Sequence, residues 1–426
     1  MTDQAPQTFE RLFGPEFGHG KALNLLRLRE ALRQLGAPQT RLPPVLHVAG
    51  TNGKGSTIAF MRAIAEAAGL KVHAFTKPHL FALNERFLVA GEIVSDQALI
   101  AAAERVGAID YGLTHFDAQV AAALLLFSEA PADLVLLETG MGGRDDSTNV
   151  IDRPALSVIT PIGFDHQDAL GASLVEIANH KAGILKAGAP AILARQPDEA
   201  RLVLVDCAAA VGAPLLRQGV EWDAYAYAGR LVVQTESRAL DLPLPALHGA
   251  HQIDNAGLAC IAMMQWREFD DSAFSAGISW ARWPGRLQPL TRGPLSAPAR
   301  EMGGEVWVDG GHNAHAAAAL AVALTAMQRK RPLNTVAIVG MLPRKDAGAF
   351  VAALAPGINE LIAVEAAHNS AQIVPLMQAA EAHGLLWDCE NSIADAITYA
   401  TRNGAARVLI CGSFVVAAEA LAAESA

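Results

Sequence analysis

The chain has 426 residues, 52 % of them hydrophobic and 18 % charged, which is material for two or three cores. Its 33 basic and 43 acidic residues leave a net charge of −10 without a basic block, which argues against general nucleic-acid binding and leaves room for a local anion pocket. The four cysteines form no CxxC pair, the N-terminus lacks a secretory pattern, and no apolar stretch reads as a membrane span, so a cytoplasmic protein is expected, with no zinc knuckle or disulfide framework.

In chain order, "PVLHVAG" (44–50) predicts a buried strand ending at glycine, and "TIAFMRAIAEAAG" (57–69) a helix closed by Gly69. "KVHAFT" is the next strand, "AQVAAALLLFSEA" (118–130) a helix, and "ADLVLLETG" (132–140) and "ALSVITPIG" (155–163) further strands. Apolar strands without alternation, separated by helices, predict a parallel sheet covered on both faces, with ligands beyond the strand C-termini. Residues 220–247 alternate and carry Gly, Asp and Pro punctuation, which predicts antiparallel strands, and 251–266 predicts a helix. "RWPGRLQPLTRGPLSAPAR" (282–300) is rich in Pro, Gly and Arg and reads as a domain boundary. Strands are then expected at 305–313, 334–342, 360–367 and 406–414, with helices at 314–327 and 392–404. The expected class is α/β: a P-loop NTPase-like parallel-sheet N-terminal domain (1–285) with a small antiparallel addition, a hinge (286–300), and a smaller Rossmann-like α/β C-terminal domain (301–426).

"HVAGTNGKGSTIAF" (47–60) leads backbone N–H groups into a helix N-terminus, an arrangement that binds phosphate. Lys54 would add charge for the β/γ-phosphates and Ser56 a hydroxyl for magnesium. The strict pattern G-x-x-x-x-G-K-[ST] is missed, because Gly55 follows Lys54 and Val48 stands at the first glycine position. The bland alternative is a turn needing positive φ with a solvated lysine. In "LLETGMGGRDDSTNV" (136–150), Glu138 ends an apolar strand where nucleotide folds hold magnesium. His166 follows another strand end, although a lone histidine is more often satisfied by local hydrogen bonds. Lys181 reads by helical pattern as a surface lysine. Asp309, His312 and Asn313, and also Ser413, stand at strand ends in the second half. Arg286 is either a surface charge or a phosphate contact.

Taken in order, "LHVAGTNGKGST", "PHL" (78–80), "NER" (84–86), "LLETGMGGRDDSTNV", "ITPIGFDHQDALG", "KAGILK" (181–186), "GAHQIDNA" (249–256), "WPGRLQ", "DGGHN" and "CGSF" resemble the folylpolyglutamate synthase/dihydrofolate synthase family of the Mur ligase superfamily. The resemblance implies an ATP- and Mg2+-dependent amide ligase, with a monovalent cation as a further candidate. It would join L-glutamate to dihydropteroate, to a folate γ-carboxylate, or to both, through an acyl phosphate. It assigns Gly53, Lys54, Gly55 and Ser56 to the ATP phosphates, and Ser56, Glu138 and His166 to the metal. Lys181 would be a carbamate, with Lys54, Lys181 and His166 the catalytic set. Asn255, Arg286, Asp309 and His312 would meet the nucleotide, and His312 and Ser413 the nucleotide or glutamate. Thr114, Phe116 and Asp146 would form the pterin pocket, bordered by Asn24 to Leu26.

Five residues at four places depart from the family's pattern. Lys77 stands where Ser usually precedes "PHL", His180 where Glu is usual, Ala314 where Pro often follows "HN", and Ala417–Ala418 before Glu419 where glycine is usual. A charged lysine cannot ligate a metal, so Lys77 either replaces one metal's charge or marks an altered metal site. Two alternatives stay open: folylpolyglutamate synthase activity alone, and a Mur-type amino-acid ligase, against which stand the only about 43 residues before the first strand. A nucleotide-binding scaffold without turnover is the non-enzymatic reading. Dihydropteroate or folate and L-glutamate are the expected partners of a monomer, with no nucleic acid and no membrane.

Overall fold

The computed structural model describes residues 4–16, 25–109, 111–365 and 372–426. The chain divides into two compact units, Met1–Ala246 with Ile253–Arg282, and Leu247–Gln252 with Trp283–Ala426.

The first unit is built on an eight-stranded sheet. Its strands are β1 (Val45–Ala49), β2 (Val72–Phe75), β3 (Phe87–Val89), β4 (Glu92–Ile93), β5 (Leu134–Glu138), β6 (Leu156–Ile159), β7 (Ala191–Leu193) and β8 (Leu215–Arg217). They lie in the order β4-β3-β2-β5-β1-β6-β7-β8. From β2 to β8 the pairing is parallel, and β3 and β4 add an antiparallel edge. Every residue of β1, β2, β5 and β6 is buried, as expected for strands covered by helices on both faces. The chain leaves β1 toward β2 and leaves β6 toward β7, in opposite directions across the sheet. Neighbouring strands with diverging connections open a crevice at their carboxyl ends. The loops that close it carry the glycines at 50 and 53 and the segment 160–166.

Residues 222–243 form the expected antiparallel addition, β9 (Trp222–Tyr227), β10 (Arg230–Thr235) and β11 (Ala239–Pro243), in the order β11-β10-β9. The helix His251–Trp266 forms as predicted.

The second unit holds a six-stranded sheet of β12 (Gln288–Leu290), β13 (Glu305–Val308), β14 (Asn334–Val339), β15 (Glu360–Val364), β16 (Leu386–Glu390) and β17 (Ala406–Cys411), ordered β12-β13-β17-β14-β15-β16. All pairs are parallel except β12 with β13. The segment 286–300 therefore contributes an edge strand and most of the helix Ala297–Glu301 to this unit. Its Pro and Gly content suits an edge, where a missing N–H is tolerated. No helix among the described residues is long and apolar enough to cross a membrane.

Candidate active site

The first unit gathers its chemistry at the carboxyl ends of β2, β5, β1 and β6. After β1 the backbone turns at Gly50 (φ +146°) and Gly53 (φ +89°), both in regions that favour glycine. A Cβ on Gly50 would lie 1.9 Å from Thr160 Oγ1, and one on Gly53 would lie 2.4 Å from Asn255 Oδ1. The glycines thus let the loop pack against the segment after β6 and against the helix bearing Asn255. Thr51 ties the same loops together: its N–H donates to Pro161 O at 3.0 Å, its hydroxyl donates to Gly163 O at 3.0 Å, and it accepts from Gly163 N at 3.1 Å. Gly53 caps the helix Lys54–Ala67, with Ser56 buried in its first turn.

Lys54 donates to Gly50 O and Thr51 O, both at 3.1 Å, and its ammonium stands 4.0 Å from Glu138 Oε1. Glu138 ends β5 and is 2 % exposed. Its other oxygen accepts from Lys77 N at 3.1 Å. Lys181, a surface lysine by helical pattern alone, is 3 % exposed and donates to Gly50 O at 2.7 Å. Its environment explains the difference. The helix Leu174–Ala182 packs so closely on the glycines after β5 that a Cβ on Gly143 would lie 2.7 Å from His180 O. Burial, aided by the charge of Lys54, lowers the Lys181 ammonium to about 7. Burial likewise lowers Lys77 to about 8, opposed by Asp146.

His166 sits after β6 in a left-handed conformation (φ +53°) and caps the short helix Gln167–Leu170. Its side chain is half exposed, its N–H donates to Asp165 Oδ1 at 2.9 Å, and its Nε2 lies 3.9 Å from Asp165 Oδ2. Among the described residues, no three His, Cys, Asp or Glu side chains converge on one metal position. A buried carboxylate and a hydroxyl in a phosphate-type loop nevertheless suit a hard cation that keeps most of its ligands from water and substrate phosphates.

Beside this cluster lies an aromatic wall. A Cβ on Gly140 would meet the Phe116 ring at 2.4 Å. Thr114 caps the helix His115–Glu129 by accepting from Asp117 N at 3.1 Å. Asp117 Oδ1 in turn accepts from Ser147 Oγ at 2.6 Å, which anchors the short turn capped by Asp146. Asp146 is 2 % exposed and accepts from Met141 N (2.6 Å), Thr148 N (3.0 Å) and Thr148 Oγ1 (2.6 Å). The lone proton of the Thr148 hydroxyl goes to that carboxylate. Thr148 Oγ1 must therefore accept from His47 Nε2–H, 2.8 Å away. His47 is fully buried and its burial holds it neutral, lowered to about 3. Sequence reasoning missed this relay, although a histidine inside the apolar run "VLHVA" was its visible signal. Of the predicted pocket border, Asn24 lies outside the described residues, and Leu25 and Leu26 open the helix Leu25–Gln34.

In the second unit, Asp309 follows β13, 5 % exposed, and accepts from Leu287 N at 2.8 Å and Gly311 N at 2.6 Å. Arg286 stacks on Phe414, its guanidinium carbon 4.6 Å from the ring centroid. His312 lies against the same ring, with Nδ1 donating to Gly310 O at 3.0 Å. A Cβ on Gly310 would lie 2.7 Å from the Phe414 ring and 3.0 Å from Arg286 Nη1, so this glycine lets arginine, ring and loop close together. Ser413, at a strand end as read from the sequence, is 2 % exposed and caps the helix Phe414–Ser425 by accepting from Val416 N. The structure thus assembles Arg286, Asp309, His312 and Ser413 at the ends of β13 and β17.

Residues 48–263 match the Mur ligase middle domain, and residues 298–414 the Mur ligase glutamate ligase domain. The dihydrofolate synthase/folylpolyglutamate synthase of Escherichia coli is 32 % identical over 379 residues, 87 % of this chain and 84 % of that protein. The chain belongs to the folylpolyglutamate synthase/dihydrofolate synthase family of Mur ligases. A probable bifunctional folylpolyglutamate synthase/dihydropteroate synthase of Halobacterium salinarum, 32 % identical over 96 % of this chain, is about twice as long, and the chain spans 50 % of it. The structure of E. coli FolC in complex with DHPP and ADP superposes with a TM-score of 0.84 at 31 % identity, covering 98 % of this chain and 96 % of that one. A bifunctional family member with Mn, AMPPNP and L-glutamate bound gives 0.83 at 30 % identity, covering 96 % and 95 %. The fold class expected from the sequence is that of these family members.

Proposed function

We propose that this chain is an ATP-dependent ligase that joins L-glutamate both to dihydropteroate and to a folate γ-carboxylate. The observation that carries the reading is the cluster around the loop after β1. Two lysines, Lys54 and Lys181, donate to the carbonyl of Gly50 beside the buried carboxylate of Glu138. The Lys54 ammonium on a glycine loop at a helix N-terminus suits a nucleotide triphosphate, while burial lowers Lys181 to about 7 and so favours the neutral amine that a carbamate is made from.

In this reading, Gly53 to Ser56 and Lys54 cradle the phosphates. Ser56, Glu138 and His166 hold Mg2+, and a carbamate on Lys181 supports it. The bound metal supplies charge neutralisation on the phosphates. Asn255, Arg286, Asp309 and His312 serve the nucleotide, and His312 and Ser413 serve the nucleotide or glutamate. Thr114, Phe116 and Asp146 serve the pterin. An oxygen of the acceptor carboxylate attacks the γ-phosphorus, the bond to the ADP oxygen breaks, and ADP leaves. The glutamate amine then attacks the acyl carbonyl, and phosphate departs with the former carboxylate oxygen. Lys54 and the helix N-terminus offset the repulsion between the incoming carboxylate and the phosphates. The protein acts as a cytoplasmic monomer without nucleic-acid or membrane partners; its acidic balance supports the part of this reading that concerns nucleic acid.

Incubation with Mg-ATP, glutamate and either dihydropteroate or tetrahydrofolate tests this, read by phosphate release and product mass. Each acceptor is expected to gain one glutamate. Turnover with the folate alone would leave a folylpolyglutamate synthase only, and turnover with neither would overturn the ligase reading.

A further inference from the structure

Lys77 follows β2 with its backbone N–H on Glu138 Oε2, and its Lys77–Pro78 peptide is cis. Its side chain is half-buried and its ammonium lies 5.3 Å from the centroid of the Phe116 ring. Among the described residues, no hydrogen bond or ion pair reaches that ammonium. The nearby charges are Asp146 and Glu138, which favour it, and Arg86 and Lys54, which oppose it. Both carboxylates are engaged elsewhere: Asp146 by Met141 and Thr148, and Glu138 by the Lys77 backbone with Lys54 4.0 Å away.

A half-buried ammonium that rests on a ring face, with both nearby carboxylates engaged by other donors, is poorly compensated unless a further anion joins it. Its place limits which anion. Beside it stands Phe116, against Gly140, a wall for a flat aromatic group. Lys54 of the phosphate loop is among the charges near enough to oppose the Lys77 ammonium, and it donates to Gly50 O. A molecule with an aromatic body and a carboxylate to be phosphorylated would carry its anion here.

We propose that the Lys77 ammonium binds the reacting carboxylate of the aromatic acceptor and holds it beside the phosphate loop. This rests on the ligase reading above. The salt bridge would offset repulsion between that carboxylate and the γ-phosphate, and would make the site discriminate acids from neutral analogues.

Equilibrium binding to the full chain tests it without reference to turnover. The probes are dihydropteroate and the same molecule with hydrogen in place of the carboxylate, each titrated with and without saturating ADP. The wild type is expected to prefer the acid by about tenfold or more, the scale of one hydrogen bond to a charged group. Lys77→Gln and Lys77→Met should abolish that preference by weakening only the acid, and Lys77→Arg should keep most of it. Thermal melting and ADP affinity identify a variant that has lost its fold; Gln and Met serve as alternatives to each other. An unchanged preference in both variants, or equal weakening of both ligands, would overturn the proposal. So would a preference that stays constant while the Mg2+ dependence of ADP binding shifts, which would mark Lys77 as a substitute for metal charge. If the wild type binds neither ligand, the ligase reading itself fails.

Discussion

Two buried ionisable residues, His47 and Lys181, carry consequences that a single substitution can expose. His47 donates to Thr148, and Thr148 donates to Asp146, so one hydroxyl serves both neighbours. Thr148→Val keeps the shape and orphans the His47 N–H while removing one donor from the carboxylate. It is expected to destabilise the chain by about 1–3 kcal/mol in chemical denaturation and to raise KM for dihydropteroate more than for ATP. Adding His47→Leu should lower stability by less than the sum of the single effects, and strict additivity would refute the relay. Lys181 gives a pH signature. Its folded value, about 7, lies below the ordinary lysine value of 10.5, so between those limits the unfolded chain binds the additional proton. Stability contributed by this group therefore rises with pH from about 7 to 10.5. Lys181→Met should flatten that part of the profile and stabilise the chain below pH 7; an unaltered slope would contradict the burial. The sequence pointed to Glu138 because it ends an apolar strand and to His166 because it follows the end of another. It could not show that Lys181 is buried. Helical spacing alone placed that lysine outward, and only packing of its helix against the glycines near 143 turns it inward.

At the scale of elements, the loop after β1 is constrained most. A methyl group at position 50 would meet Thr160 Oγ1 at 1.9 Å, in a backbone conformation (φ +146°) that only glycine adopts readily. Gly50→Ala is expected to weaken ADP binding more than tenfold, and Thr160→Ala should restore only part of it. Other Thr160 atoms, Cβ and the carbonyl, would still stand at 2.9 Å. Full ADP affinity in Gly50→Ala would contradict this account of the loop. The long apolar strands and the helix from 251 were legible because burial on both faces, or helical spacing, leaves a pattern over many residues. β4 has two residues and β3 and β12 have three each, too few for a period to show. The Pro- and Gly-rich run around 288 therefore read as a hinge, although Gln288–Leu290 pairs with β13.

Across the whole molecule, the candidate residues fall into two sets, each assembled within its own compact unit. Lys54, Glu138, His166, Lys181 and Asn255 belong to the first, and Arg286, Asp309, His312 and Ser413 to the second. The short stretch Leu247–Gln252 belongs to the second unit even though the chain returns to the first at Ile253. No composition shift marks that excursion, so the sequence could not reveal it. What the sequence did reveal at this scale was the order of ten short motifs, each weak alone, spread over nearly the full chain. That order carries the family, and the family carries the chemistry proposed for the site. The most direct test labels both oxygens of the dihydropteroate carboxylate with 18O and follows one turnover with Mg-ATP and glutamate. One labelled oxygen is expected in inorganic phosphate and the other retained in the amide product. Phosphate without label, or label recovered in AMP, would contradict attack on the γ-phosphate and the acyl phosphate that follows from it.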